Sequence, residues 1–136
     1  MRAVFIALVT SLALTGPLRA EGAGHAAIQG VISSQIEAFL ADDFVTAFEF
    51  ASPGIQDIFG TPERFGQMVR DGYPMVWRPD RVRFLDLREQ GGRPVQRVMI
   101  TDADGRVHLL DYVMATSETG WRIAGVYLLE GPAAGV

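Results

Sequence analysis

The chain has 136 residues, a formal charge of −4 and no Cys, and all twelve of its basic residues are Arg. The missing Cys excludes thiolate nucleophiles, dithiol redox chemistry, iron–sulfur ligation and Cys-based zinc sites. The missing Lys excludes Schiff-base chemistry and a phosphate-loop lysine, and the acidic balance argues against nucleic acid or an anionic membrane as the main partner.

Residues 1–20 read as a cleavable export signal. Arg2 supplies the positive start, Val4 to Leu14 form an apolar core, Gly16-Pro17 interrupts any helix, and Ala20 is a small residue suited to cleavage. The apolar stretch is short for a hydrocarbon core of about 30 Å, and no Cys follows it to carry a lipid, so no stable membrane anchor is expected. The expected location is periplasmic after cleavage near Ala20. Removing Arg2 and Arg19 with the signal leaves ten Arg against sixteen acids, a formal charge of −6. The charge is unevenly spread: seven acids lie between Glu21 and Glu63 with no Arg, and nine Arg lie between Arg64 and Arg106. That asymmetry fits an acidic helical half set against a basic sheet edge.

Residues 21–26 are expected as a flexible leader and residues 27–130 as a single domain. Ile28, Val31, Ile32, Ile36, Phe39 and Leu40 recur at spacings of three and four, which predicts an amphipathic helix. Asp42-Asp43 marks a cap for a second helix carrying Phe44, Val45, Ala47, Phe48 and Phe50. Ser52-Pro53 and Thr61-Pro62 each pair a capping side chain with a Pro at the first helical position. Gly60 and Gly72 end the two helices that follow, and Tyr73-Pro74 is expected to be extended.

The pattern then changes to strands at Arg81–Glu89, Pro94–Thr101, Arg106–Thr116 and Trp121–Leu129, joined by turns at Gly91-Gly92, Asp102–Gly105 and Ser117–Gly120. Residues 131–136 are expected as a disordered tail. Helices first and an antiparallel meander of about four strands afterwards define an α+β fold with the helices on one sheet face. The last strand alternates Trp121, Ile123, Gly125, Tyr127 and Leu129 against Arg122, Ala124, Val126 and Leu128. Both sets are largely apolar, which predicts that the second face is covered too, by a symmetric homodimer through the sheet.

Three strings, SPGIQDIFG, MVRDGY and GWRIAGV, taken together within residues 27–130, resemble the bacterial family called domain of unknown function 4864. The layout resembles the nuclear transport factor 2-like superfamily. That resemblance implies a cone in which a curved antiparallel sheet and helices enclose a pocket. Members of the superfamily use the pocket for isomerase or dehydratase chemistry, for binding alone, or fill it and act as interaction modules.

The candidate site residues follow from this layout. Tyr73 and Trp77 lie where the chain crosses from helices to sheet, near the pocket mouth that the resemblance implies. Tyr73 suits hydrogen bonding to a ligand and Trp77 suits stacking on one, and the alternative is that both plug the open end of the core. His108 shares a strand face with Leu110, Tyr112 and Met114, so His108 and Tyr112 join Tyr73 and Trp77 as the ligand-binding set. Asp111 sits on the opposite face among Val107, Leu109 and Val113, where an unpaired carboxylate is costly. It is expected to pair with Arg97 or Arg122, the alternative being a general base. Asp42-Asp43 reads as caps rather than a catalytic pair. The stretch Asp102-Ala103-Asp104-Gly105 lacks the later Glu of a calcium loop, because its twelfth position is Val113. No metal or cofactor is expected.

The leading functional expectation is a non-enzymatic module that binds a small apolar or amphipathic ligand or an envelope protein. The alternative is a small isomerase or dehydratase with Asp111 or His108 as base and Tyr73 or Tyr112 as donor. Strict alternation sets Asp111 and Tyr112 on opposite faces, which ranks catalysis second.

Overall fold

The computed structural model describes residues 17–129. Most of the expected export signal and all of the expected tail at 131–136 lie outside those residues. Within them the chain forms five helices, α1 (Pro17–Leu40), α2 (Phe44–Glu49), α3 (Pro53–Phe59), α4 (Pro62–Gly72) and α5 (Pro74–Trp77), and then four strands. The strands β1 (Pro79–Gln90), β2 (Arg93–Asp102), β3 (Val107–Ser117) and β4 (Gly120–Leu129) pair as an antiparallel meander in the order β1-β2-β3-β4. The fold is α+β, with the helices on one face of an open sheet.

Two helical boundaries differ from expectation. The leader expected at 21–26 is helical, because α1 begins at Pro17. Pro suits a first helical position, and helix already nucleated by the packed segment further along extends backward through Ala23, Ala26 and Ala27 despite the cost of Gly22 and Gly24. Tyr73-Pro74 is only half extended. Tyr73 leaves the helical region (φ −134°, ψ 54°) and closes α4 by donating its N–H to Val69 O at 2.8 Å, whereas Pro74 opens the single turn of α5.

The caps behave as their residue types require. Asp43 accepts from the Thr46 N–H (3.2 Å) and hydroxyl (2.7 Å), Ser52 from the Ile55 N–H (3.4 Å), and Thr61 from the Arg64 N–H (3.3 Å). Gly60 ends α3 in a left-handed conformation with φ 77°. Phe65 of α4 sits at the centre of an aromatic cluster, its ring 5.3–5.8 Å from those of Phe39, Phe48 and Phe59. The next residue, Gly66, lets α4 approach the Phe44 ring. A β-carbon there would lie 2.6 Å from that ring.

The core forms where Ile28, Ile32, Ile36 and Phe39 of α1 meet Val98, Ile100, Leu110, Tyr112 and Met114 of the sheet. Three register slips interrupt the sheet's alternation. In β1 the register slips between Pro79 and Arg81 and again between Phe84 and Leu87, and in the β3–β4 pair it slips on β4 between Ile123 and Gly125. The slip on β4 corrects the expected faces of the last strand. Ile123 lies opposite Met114, but beyond the bulge Val126 and Leu128 lie opposite Tyr112 and Leu110, on the helix side. Gly125 and Tyr127 therefore belong to the open face, opposite Val113 and Asp111. An extra residue in one strand reverses the side-chain phase of all that follows.

Candidate functional site

Helices and sheet do not close completely. Between α1, α3, α4, α5 and β4 lies a cavity of about 360 Å³. Its inner wall is formed by buried side chains, among them Gln35, Phe39, Phe65, Val69, Val76 and Ile123. Its mouth is flanked by Ile58 and Tyr127, which are 74% and 61% exposed. The bulge shapes this side of the cavity, because Ala124, Gly125 and Val126 all line it. The Tyr127 ring lies over Gly125, where a β-carbon would come within 3.1 Å of it. Among the described residues, no lining side chain carries a charge.

Two polar side chains reach the cavity from buried anchor points. Gln35 is 3% exposed and donates its amide nitrogen to Ala47 O at 3.0 Å, tying α1 to α2. Tyr73 donates its hydroxyl to Val126 O at 3.0 Å, tying the end of α4 to the strand just past the bulge. This bond holds the cavity wall to the sheet and leaves the phenol oxygen's lone pairs free as acceptors.

Of the residues singled out from sequence, Tyr73 alone lines the cavity. Trp77 donates its indole N–H to Asp42 Oδ1 at 2.9 Å, and the Arg78 guanidinium stacks 4.1 Å above its ring. Arg78 also donates to Asp42 Oδ1 (2.8 Å) and to Phe39 O (2.9 Å). Asp42 sits in the left-handed region (φ 54°) at the end of α1. Hydrogen bonds from Trp77 and Arg78 hold its carboxyl below the usual range. The group is a clasp between the end of α1 and the start of the sheet.

His108 lies at the far end of the sheet, with Nε2 2.8 Å from Asp102 Oδ2. Asp102 Oδ1 accepts from the N–H groups of Asp104 and Arg106, both at 2.9 Å, so the same carboxylate holds the β2–β3 turn. The bond to His108, followed by those backbone bonds, lowers its pKa.

Tyr112 is fully buried, and its hydroxyl has no hydrogen-bond partner among the described residues. Burial, with Tyr73 nearby, pushes the phenol well above its ordinary range, so it stays neutral. Directly across the pairing lies Gln96, whose amide nitrogen donates to Leu85 O and Arg97 O, both at 2.9 Å. That side chain satisfies a carbonyl freed by the β1 bulge.

Asp111 faces the other way and pairs with Arg97, one of its two expected partners, and also with Arg88, while the alternative Arg122 does not reach it. Arg88 Nη2 lies 2.7 Å from Asp111 Oδ2, and Arg97 Nε lies 3.1 Å from Oδ1. Arg122 instead donates to Trp121 O at 2.8 Å and to the Thr119 hydroxyl, at the β3–β4 turn. Burial disfavours the ionised carboxyl of Asp111, but the two guanidinium groups outweigh it and lower its pKa.

Sequence reasoning missed the cavity's main polar residue. Gln35 completes the series Ile28, Ile32, Gln35, Phe39, a polar side chain inside an apolar helical stripe. It also missed the bulge, for which an isolated Gly in a strand, Gly125, was the available signal.

The family model for the domain of unknown function DUF4864 matches residues 22–136. The chain belongs to that family. No curated protein and no solved structure matches it.

Proposed function

We propose that the protein is an exported, periplasmic, non-enzymatic module, a nuclear transport factor 2-like cone that binds a small apolar or amphipathic ligand between helices and sheet. The observation that carries this reading is the cavity. Its volume of about 360 Å³ falls in the range of small-molecule sites, roughly 300–1,000 Å³. Its wall is apolar with two fixed polar groups, the composition such sites share. Burying a ligand's apolar surface there is favourable by about 25 cal/mol per Å². The exposed Ile58 at the mouth supports a second reading, in which a segment of a partner protein inserts at the same place.

An isomerase or dehydratase needs a base within reach of a substrate in the cavity. Asp111 lies across the sheet, held by two Arg, and His108 is bonded to a turn at the sheet's end. That placement supports binding without chemistry. Met99, Leu109, Val113 and Tyr127 alternate onto the open face beside Arg88 and Arg97, which supports a homodimer through the sheet.

The test is native mass spectrometry of protein purified from a periplasm, before and after organic extraction. The expected result is a dimer that releases a small molecule. A monomer that releases nothing and takes up no added amphiphile overturns both the cavity reading and the sheet-to-sheet dimer.

A further inference from the structure

The chemistry of the cavity wall narrows the ligand class. We infer that the cavity selects a neutral ligand whose leading end donates a hydrogen bond, an alcohol or a primary amide on an apolar body, over an anionic amphiphile of the same length. The inference rests on the cavity being a binding site, as proposed above.

Gln35 carries the argument. Its amide atom 3.0 Å from Ala47 O faces a carbonyl, so that atom is the nitrogen. The amide oxygen accepts no side-chain hydrogen bond among the described residues, and Gln35 lines the cavity, so we assign that oxygen to the cavity. Tyr73 has committed its only hydrogen to Val126 O, so its oxygen also offers lone pairs. Away from the mouth, where the Tyr127 hydroxyl stands, the polar oxygens of the wall are those of Gln35 and Tyr73, and both call for a donor. A carboxylate is acceptor-only, and no cationic side chain among the described residues lines the cavity to compensate it. A protonated amine likewise finds no acid there.

Position sets the orientation. Gln35 is deep, while Ile58 and Tyr127 stand at the mouth, so the polar end enters first and the apolar tail finishes against Ile58 and the Tyr127 ring. At the roughly 30 Å³ that one water occupies in the liquid, the space holds about a dozen non-hydrogen atoms.

The experiment compares decane, 1-decanol and sodium decanoate binding to the purified protein at pH 7.5, by calorimetry and ligand-observed NMR. Decanol binds tightest, and decanoate at least about tenfold more weakly. Decanoate affinity then rises as the pH falls through the ligand's own carboxyl range, near about 4–5. Gln35→Leu brings decanol down to the affinity of decane. Met68→Trp, which fills the cavity from a partly buried position, weakens decanol at least about tenfold without lowering the melting temperature by more than a few degrees. Decanoate binding as well as decanol at pH 7.5 overturns the selectivity and leaves the cavity standing as a site. If none of the three binds, the cavity reading fails and this inference with it. Decanol binding that Met68→Trp leaves unchanged places the ligand elsewhere and overturns the assignment to Gln35.

Discussion

The two faces of the sheet handle polar groups in opposite ways, and neighbouring residues of β3 show it. Tyr112 points to the helices, and burial holds its phenol neutral. Asp111, one residue earlier, points to the open face, where Arg88 and Arg97 hold its carboxyl ionised. A separation of one residue along a strand thus divides a region that excludes charge from one organised around it. The helix side holds the cavity proposed for a neutral ligand. The open side is where ion pairs are half hydrated, each guanidinium being about a third exposed.

The strongest way to break this contrast is to put a charge on the wrong face. Leu110→Glu places a carboxylate among Val98, Ile100 and Met114 with no cation to meet it. It is expected to cost about 4 kcal/mol or more, enough to unfold a domain of this size, and the loss of a cooperative thermal transition by circular dichroism checks it. Asp111→Ala comes next. It strips two Arg of their shared partner and is expected to cost about 1–3 kcal/mol in urea titrations at pH 7, because the stranded guanidinium groups still reach water. Binding in the cavity across the sheet should be unchanged. Loss of binding with a normal melting curve would contradict the structural role.

The pH dependence sharpens the same comparison. Because the folded carboxyl of Asp111 titrates below its unfolded value, its contribution is complete above the ordinary carboxylate range, about 4. It is lost as the pH falls through the lower folded value. The gap in stability between the protein and Asp111→Ala should therefore narrow on acidification. A gap that is constant from pH 7 to pH 3 would count against it.

Tyr73→Phe is expected to cost about 1 kcal/mol through the lost bond to Val126 O, measured as a shift in the urea midpoint. Tyr112→Phe has the smallest effect, and its sign is the informative part. Deleting a buried hydroxyl that has no partner should leave the melting temperature unchanged or raise it. A loss of more than about 1 kcal/mol would mean that the hydroxyl is bonded in solution.

The architecture was legible wherever local chemistry decides it. Ser52-Pro53 and Thr61-Pro62 start their helices, Gly60 ends one, and the paired glycines at 91 and 92 turn a hairpin with φ 60° and 79°. All four strands lie within about two residues of where alternation places them. What escaped depends on pairs of residues distant in sequence. Asp111 takes Arg88 because the β1 bulge resets which side chains face it, and no reading of β1 by itself shows that slip. Trp77 has the composition of a ligand platform, yet its indole N–H is claimed by Asp42, thirty-five residues earlier. The expectation of a pocket came from resemblance to a fold and not from particular residues. Its polar residue Gln35 was not, because a single Gln in an apolar stripe does not announce whether it faces protein or space.

Tyr127 has one further consequence. It flanks the cavity mouth and also lies opposite Asp111 on the face through which two copies would meet. A ligand that repositions its ring alters the surface offered to a second chain, and a second chain seated there alters the mouth. Linkage then requires reciprocity: whatever factor the ligand applies to the association constant of the protomers, association applies to the ligand's affinity. Occupancy measured in dilute and in concentrated solution would differ by that factor, and the protein would report its own concentration through what it holds.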